Sequence, residues 1–112
     1  MKNLVQEVRN RSTRASIGIK AERQRRRKYD EEQARLALRR ITSELPKKLR
    51  QTADYGLRSD VVYQFEHFCG YQTYQSECIV NGLKEWAEKN GFLFRIQESG
   101  SFYIPNHVRL EW

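Results

Sequence analysis

"DEEQARLALRRITSELPKKLRQTADYG", residues 30–56, is the stretch on which the fold turns. Its apolar residues Ala34, Leu38, Ile41, Leu45, Leu49 and Ala53 recur at steps of four, three, four, four and four, which places them on one face of a helix. Arg35, Arg39, Arg40, Lys47 and Arg50 fall on the other face. Asp30, Glu31 and Glu32 complement the positive end of the helix dipole, and Gly56 reads as the residue that ends the element. Pro46 lacks an N–H and its ring crowds the preceding turn, so the helix is expected to kink there or to split. In the split form Ser43 caps the second piece, with Pro46 in its first turn. The face Ala34, Leu38, Ile41, Leu45 suits either a partner helix, which would give a homodimer, or the domain's own sheet.

Downstream the period changes. "DVVYQFEHF", residues 60–68, alternates Val61, Tyr63 and Phe65 against Val62, Gln64 and Glu66, as a strand with one buried face does, and Gly70 ends it. "TYQSECIVNGLKEWAEKNG" reads as a helix capped by Thr73, with Ile79, Leu83, Trp86 and Ala87 on its buried stripe and Asn90-Gly91 as its stop. Gly82 within it predicts a close approach to the sheet. "FLFRIQ" alternates Phe92, Phe94 and Ile96 against Leu93, Arg95 and Gln97, "ESGS" turns, and "FYIPNHVRLEW" returns with Phe102, Ile104, Val108, Leu110 and Trp112 in one parity. Pro105 marks an edge or a bulge, because it cannot donate to a ladder. The fold class is therefore α+β: a long, Pro-kinked helix, then strand, helix and hairpin, forming a three-stranded antiparallel or mixed sheet with a helix packed on it.

Residues 30–112 make one small domain; residues 1–29 read as a basic arm, flexible or folding on binding. Its apolar pattern is short, Leu4, Val5 and Val8, and a Ser/Thr/Gly-containing stretch follows. The charge is concentrated here. Residues 1–50 hold sixteen Lys/Arg against six Asp/Glu, whereas residues 51–112 hold five against eight, within a formal net charge of +7. Residues 1–28 alone carry ten cations, seven of them arginine, against Glu7 and Glu22. Such an asymmetry points to an arm that meets a polyanion beside a near-neutral body. The arginine excess favours bidentate contacts to phosphate or guanine. The candidate nucleic-acid-binding residues are Arg9, Arg11, Arg14, Lys20, Arg23, Arg25, Arg26, Arg27, Lys28, Arg35, Arg39 and Arg40. An arginine-rich arm of this type often folds on binding, RNA is a common partner, and no residue here specifies a base sequence. Tyr63, Phe65, Phe94, Phe102 and Tyr103 are needed for the core of so small a domain, which leaves Tyr71 and Tyr74, in the "GYQTYQ" loop, as the better aromatic surface contacts.

Other chemistries find less support. No apolar run is long enough to span a membrane, and "MKNLVQEVRN" lacks the apolar segment of a secretory signal, so a cytoplasmic protein with reduced Cys69 and Cys78 is expected. His67, Cys69, Cys78 and His107 offer zinc-type donors, but their spacing lacks a short Cys-x-x-Cys knuckle, and no metal or other cofactor is expected. There is no phosphate loop, nucleophile elbow or His-Glu-x-x-His, and Asp60, Glu66 and Glu98 are scattered. The expectation is a protein that is not an enzyme, with no catalytic residues.

The order "LPKKLRQTADYG", "DVVYQF", "GLKEWAEKNGFLFRI", "GSFYI" resembles that of small phage and mobile-element proteins, over residues 45–112. The resemblance implies a phage or prophage setting, hence the cytoplasm of a host cell, more than it implies a chemistry. The function expected is non-enzymatic binding of nucleic acid, RNA or DNA, or of a nucleoprotein complex, through the arginine-rich arm. An alternative is a phage-encoded, anti-CRISPR-like inhibitor of a host defence nuclease, a host effector protein engaged through its guide RNA and protein surface. A lesser one is a metal-free ribonuclease toxin using Arg95, Tyr103, His107 and Arg109; the basic sheet with one His resembles small ribosome-dependent toxins in composition, although their order of elements differs.

Overall fold

The computed structural model describes residues 3–65, 67, 68, 71–100 and 105–112, with the backbone alone for 67, 68, 71 and 72. Helix α1 runs Leu4–Asp54. Strand β1 (Ser59–Phe65) follows, then the short ribbon β2 (His67–Phe68) and β3 (Tyr71–Gln72), helix α2 (Tyr74–Lys89), and strands β4 (Leu93–Gln97) and β5 (Asn106–Glu111). The main sheet is antiparallel throughout, in the order β1-β5-β4. Compactness divides the chain into Met1–Asp30 and Glu31–Trp112.

The first unit is helical from Leu4, and its side chains are exposed from Asn3 to Tyr29 with the exception of Ala21. Leu4, Val5, Val8, Ile17 and Ile19 all remain more than half exposed. What holds this helix is local: backbone bonds, good helix formers such as Ala, Arg, Gln and Glu, the Glu7–Arg11 ion pair at 2.8 Å, and the bond from Gln6 Nε2 to Asn10 Oδ1 at 3.1 Å. Pairs of this kind contribute roughly 0.3–0.5 kcal/mol each.

The second unit has a core of Ala34, Leu45, Leu49, Val62, Phe65, Ile79, Val80, Leu83, Ala87, Val108 and Leu110. The face Ala34, Leu38, Ile41, Leu45 packs into or against this core. Ala53, expected on the buried face, is exposed, since it lies in the last turn beyond the part of α1 that the core covers. α1 passes through Pro46 as one α-helix, so the split form is not adopted. Ser43 is accordingly no cap; its hydroxyl donates back to the Arg40 carbonyl at 2.7 Å, and Thr42 does the same to Leu38 at 2.8 Å.

Both helices end by the same device. Gly56 has φ +82°, its N–H donates to Ala53 (2.9 Å), and that of Leu57 reaches Thr52 (3.4 Å). Gly91 has φ +81°, with Gly91 N–H to Glu88 (3.4 Å) and Phe92 N–H to Ala87 (2.9 Å). These are Schellman closures, which need a left-handed residue and so favour glycine. At the start of α2, Thr73 Oγ1 accepts the Ser76 N–H at 3.2 Å, as a cap should.

The strand read as one run over 60–68 is two elements. A β-bulge between Val61 and Tyr63 leaves Val62 without a partner in β5, and this shift puts Val62 and Phe65 in the core together, against the expected alternation. Lys48 Nζ donates to the Val61 carbonyl at the bulge (2.6 Å), and Thr52 Oγ1 donates to Asp60 Oδ2 (2.6 Å). α1 thereby covers part of an edge strand that would otherwise be open to pairing. β5 is the central strand, and Pro105 stands just before it, outside the ladder. Gly82 does bring an element close, but it is α1 and not the sheet: a Cβ on Gly82 would overlap Leu38 Cδ2 and lie 3.1 Å from Cδ1. Phe102, Tyr103, Ile104, Glu66, Cys69 and Gly70 lie outside the described residues.

Candidate nucleic-acid interface

Every sequence-selected cation is exposed, and they separate into two groups. Within residues 4–30, Arg11, Arg14, Arg25 and Lys28 follow one stripe of the helix, because three residues nearly complete a turn and eleven nearly complete three. Arg9, Lys20, Arg23 and Arg27 follow the opposite stripe, and Arg26 stands between them. Positive charge therefore surrounds this helix rather than lining one side.

Few of these charges are neutralised locally. Arg11 pairs with Glu7, and Arg27 is engaged. Among the described residues the side chains of Arg9, Arg14, Lys20, Arg23, Arg25, Arg26 and Lys28 form no ion pair or hydrogen bond. Asp30 is engaged as well, and Glu32 sits 3.5 Å from Arg35, both partners about two-thirds exposed, a geometry worth little.

The other three cations belong to the second unit. Arg35 and Arg39, one turn apart on α1, line a shallow groove with Lys89 and Trp86 of α2; its floor is Leu38 against Gly82, and Glu85 is its single acid. Arg40 points elsewhere and has no side-chain partner. Trp86 also lines an adjoining cavity of about 370 Å³, whose walls include Phe92, Trp112, Arg50 and Asn90. Trp86 and Phe92 stack at 5.7 Å, nearly parallel, and Trp112 meets Phe92 edge-on at 6.2 Å. Periodicity alone does not reveal this cavity, because Trp86 falls on the buried stripe of α2 and Trp112 in the parity of Val108 and Leu110; Trp86 is half-buried and Trp112 exposed. The signal was available in "EWAEKNGF", since a Schellman closure brings the residue after its glycine against the helix's last full turn, here Phe92 on Trp86.

The expected aromatic contacts fare differently. Tyr74 is not in a loop but opens α2, and its hydroxyl donates to Glu31 Oε1 at 2.6 Å. That bond, then desolvation and the nearby Cys78, push the phenol up to about 12. Tyr74 thus ties α2 to α1 and is not free to stack. Tyr63 and Phe65 stack on each other at 6.0 Å, Phe65 in the core.

On the outer face of the sheet, Arg95 and Arg109 are cross-strand partners, as are Gln97 and His107. Arg109 Nη1 donates to Ser59 Oγ (2.9 Å), Arg95 Nε lies 3.5 Å from Glu111, and His107 Nε2 meets Gln97 Oε1 at 2.7 Å. Cys78 is a free thiol, and among the described residues no three potential metal ligands cluster. No described helix is long and apolar enough to cross a membrane. No protein-family model, curated protein or solved structure matches the chain.

Proposed function

We propose that this protein binds nucleic acid, free or within a nucleoprotein complex, through the basic side chains of α1, and that it acts by binding and not by catalysis. The observation that carries this reading is the set of seven cations on the first unit, Arg9, Arg14, Lys20, Arg23, Arg25, Arg26 and Lys28, that have no acidic partner among the described residues. Like charges along one helix repel each other, and the unit's three acids, Glu7, Glu22 and Asp30, are too few to compensate them; a polyanion does. Phosphates would take up these side chains with release of counterions. A segment with so little apolar contact gains its helical order most readily when that ligand is present.

The test is fluorescence anisotropy with labelled RNA and DNA, comparing the full chain with the variant Arg23→Gln/Arg25→Gln/Arg26→Gln/Lys28→Gln. Loss of most of the affinity, with circular dichroism of the body unchanged, is expected. Equal binding by both proteins would remove the arm from the interface. Capture of a guide-RNA-loaded effector without affinity for free RNA would move the reading to the nuclease-inhibitor alternative.

A further inference from the structure

The second unit carries a site of its own. Along the α1/α2 groove, Arg35, Arg39 and Lys89 lead to Trp86, and beyond Trp86 lies the aromatic cavity. Three features of that cavity restrict its occupant. Three aromatic side chains line it, Trp86 stacked with Phe92 and Trp112 edge-on to Phe92, a lining suited to a flat ring. Arg50 stands at the cavity with no partner among the described residues and no acid in the lining, so a cationic ligand is disfavoured and an anionic one favoured. Asn90 spends one amide N–H on the Trp86 carbonyl at 2.8 Å, which leaves its second N–H and Oδ1 for the polar edge of a ligand. A planar ring with donors and acceptors on its edge, joined to a phosphate, satisfies all three.

We propose that this groove binds single-stranded nucleic acid, with one base in the Trp86–Phe92–Trp112 cavity, its phosphate on Arg50, and neighbouring phosphates on Arg35, Arg39 and Lys89. Basic grooves that track a backbone and end on aromatic platforms bind unpaired strands, because every base has a π face and a paired base cannot leave its stack to use one. The inference rests on the nucleic-acid reading above and adds strand type and site to it. It also differs in location: the arm contacts phosphates of either form, whereas the cavity accepts only an unpaired base.

The chain's two tryptophans, Trp86 and Trp112, both line this cavity, so intrinsic tryptophan emission reports its occupancy directly. The full chain is titrated with a short oligothymidylate, the matching oligouridylate, and a duplex of equal length, with anisotropy of a label on each nucleic acid recorded in parallel. Saturable quenching by the single strands, tracking their anisotropy, and none by the duplex is the expected result. Arg50→Gln removes an exposed, unpaired side chain and leaves packing intact; Trp112→Ala removes one wall. Each is expected to weaken single-strand binding by about tenfold while duplex binding stays unchanged. Strand binding with flat tryptophan emission, or wild-type affinity in Arg50→Gln, overturns the cavity assignment and leaves the arm reading standing. Absence of binding by strand and duplex alike at low salt overturns both.

Discussion

Replacing Gly82 by Ala probes the contact that seats α2 on α1 and forms the floor of the basic groove. In an exposed helix interior this change stabilises by about 1 kcal/mol, through helix propensity alone. Here the added Cβ would overlap Leu38 Cδ2 and crowd Cδ1 at 3.1 Å and Cγ at 3.2 Å. Three crowded atoms mean that Leu38 must rotate rather than yield slightly, and it is half-buried against the core. Overpacking of this kind costs about 1–3 kcal/mol, so the net effect expected is a loss of roughly 0–2 kcal/mol. In a Leu38→Ala background the obstruction is gone, and Gly82→Ala should stabilise by about 1 kcal/mol. The coupling between the two positions is then roughly 1–3 kcal/mol. Urea denaturation of the four proteins of the cycle measures it, provided the slope of stability on urea is unchanged. Stabilisation by the same amount in both backgrounds would refute the close approach of the two helices.

Thr73→Ala removes the acceptor for the Ser76 N–H and should cost about 1 kcal/mol, read as a fall of about 5 °C in Tm. Tyr74 gives a pH test. Its phenol is pushed up to about 12 by the bond to Glu31, so the folded state holds its proton longer than the unfolded chain, in which tyrosine titrates near 10. The contribution is complete below about pH 10 and is lost as pH rises toward about 12. Tyr74→Phe should flatten the alkaline fall in stability, and absorbance at alkaline pH should lose the tyrosine step near pH 12; a wild-type titration in the variant would contradict the assignment.

The elements set by periodicity and by end signals were legible in the sequence. α2 begins at its Thr73 cap and stops at Asn90-Gly91, and α1 closes at Gly56, because capping chemistry is local and residue-specific. The bulge at Val62 was not legible: Val61 and Val62 are equally apolar, so the composition fits either register, and the Lys48 bond to the freed carbonyl comes from an element thirteen residues away. Pro46 was read by its missing N–H, yet the helix continues, with Leu45 and Leu49 on either side both buried in the core. Packing outweighed propensity there. Gly82 signalled a close approach without its partner, since a glycine records that space is scarce and not what fills it. The basic residues were found directly, because charge pattern is a property of the sequence. The groove was not, because Arg50, Trp86, Lys89 and Trp112 come together only when α1, α2 and the end of the sheet meet.

The salt dependence of nucleic-acid affinity tests the central claim most directly. Opposite stripes of the arm's helix cannot face one polyanion together, so of the seven unpaired cations about four can contact phosphates at once. Four contacts predict a slope of about −3.6 for duplex DNA in a plot of log affinity against log salt, and a single strand that also engages the four groove cations predicts about −5.6. The variant Arg14→Gln/Lys20→Gln/Arg23→Gln/Arg25→Gln/Lys28→Gln, which strips both faces, should reduce either slope by roughly 2. A flat slope, or one that the variant leaves unchanged, would contradict the account.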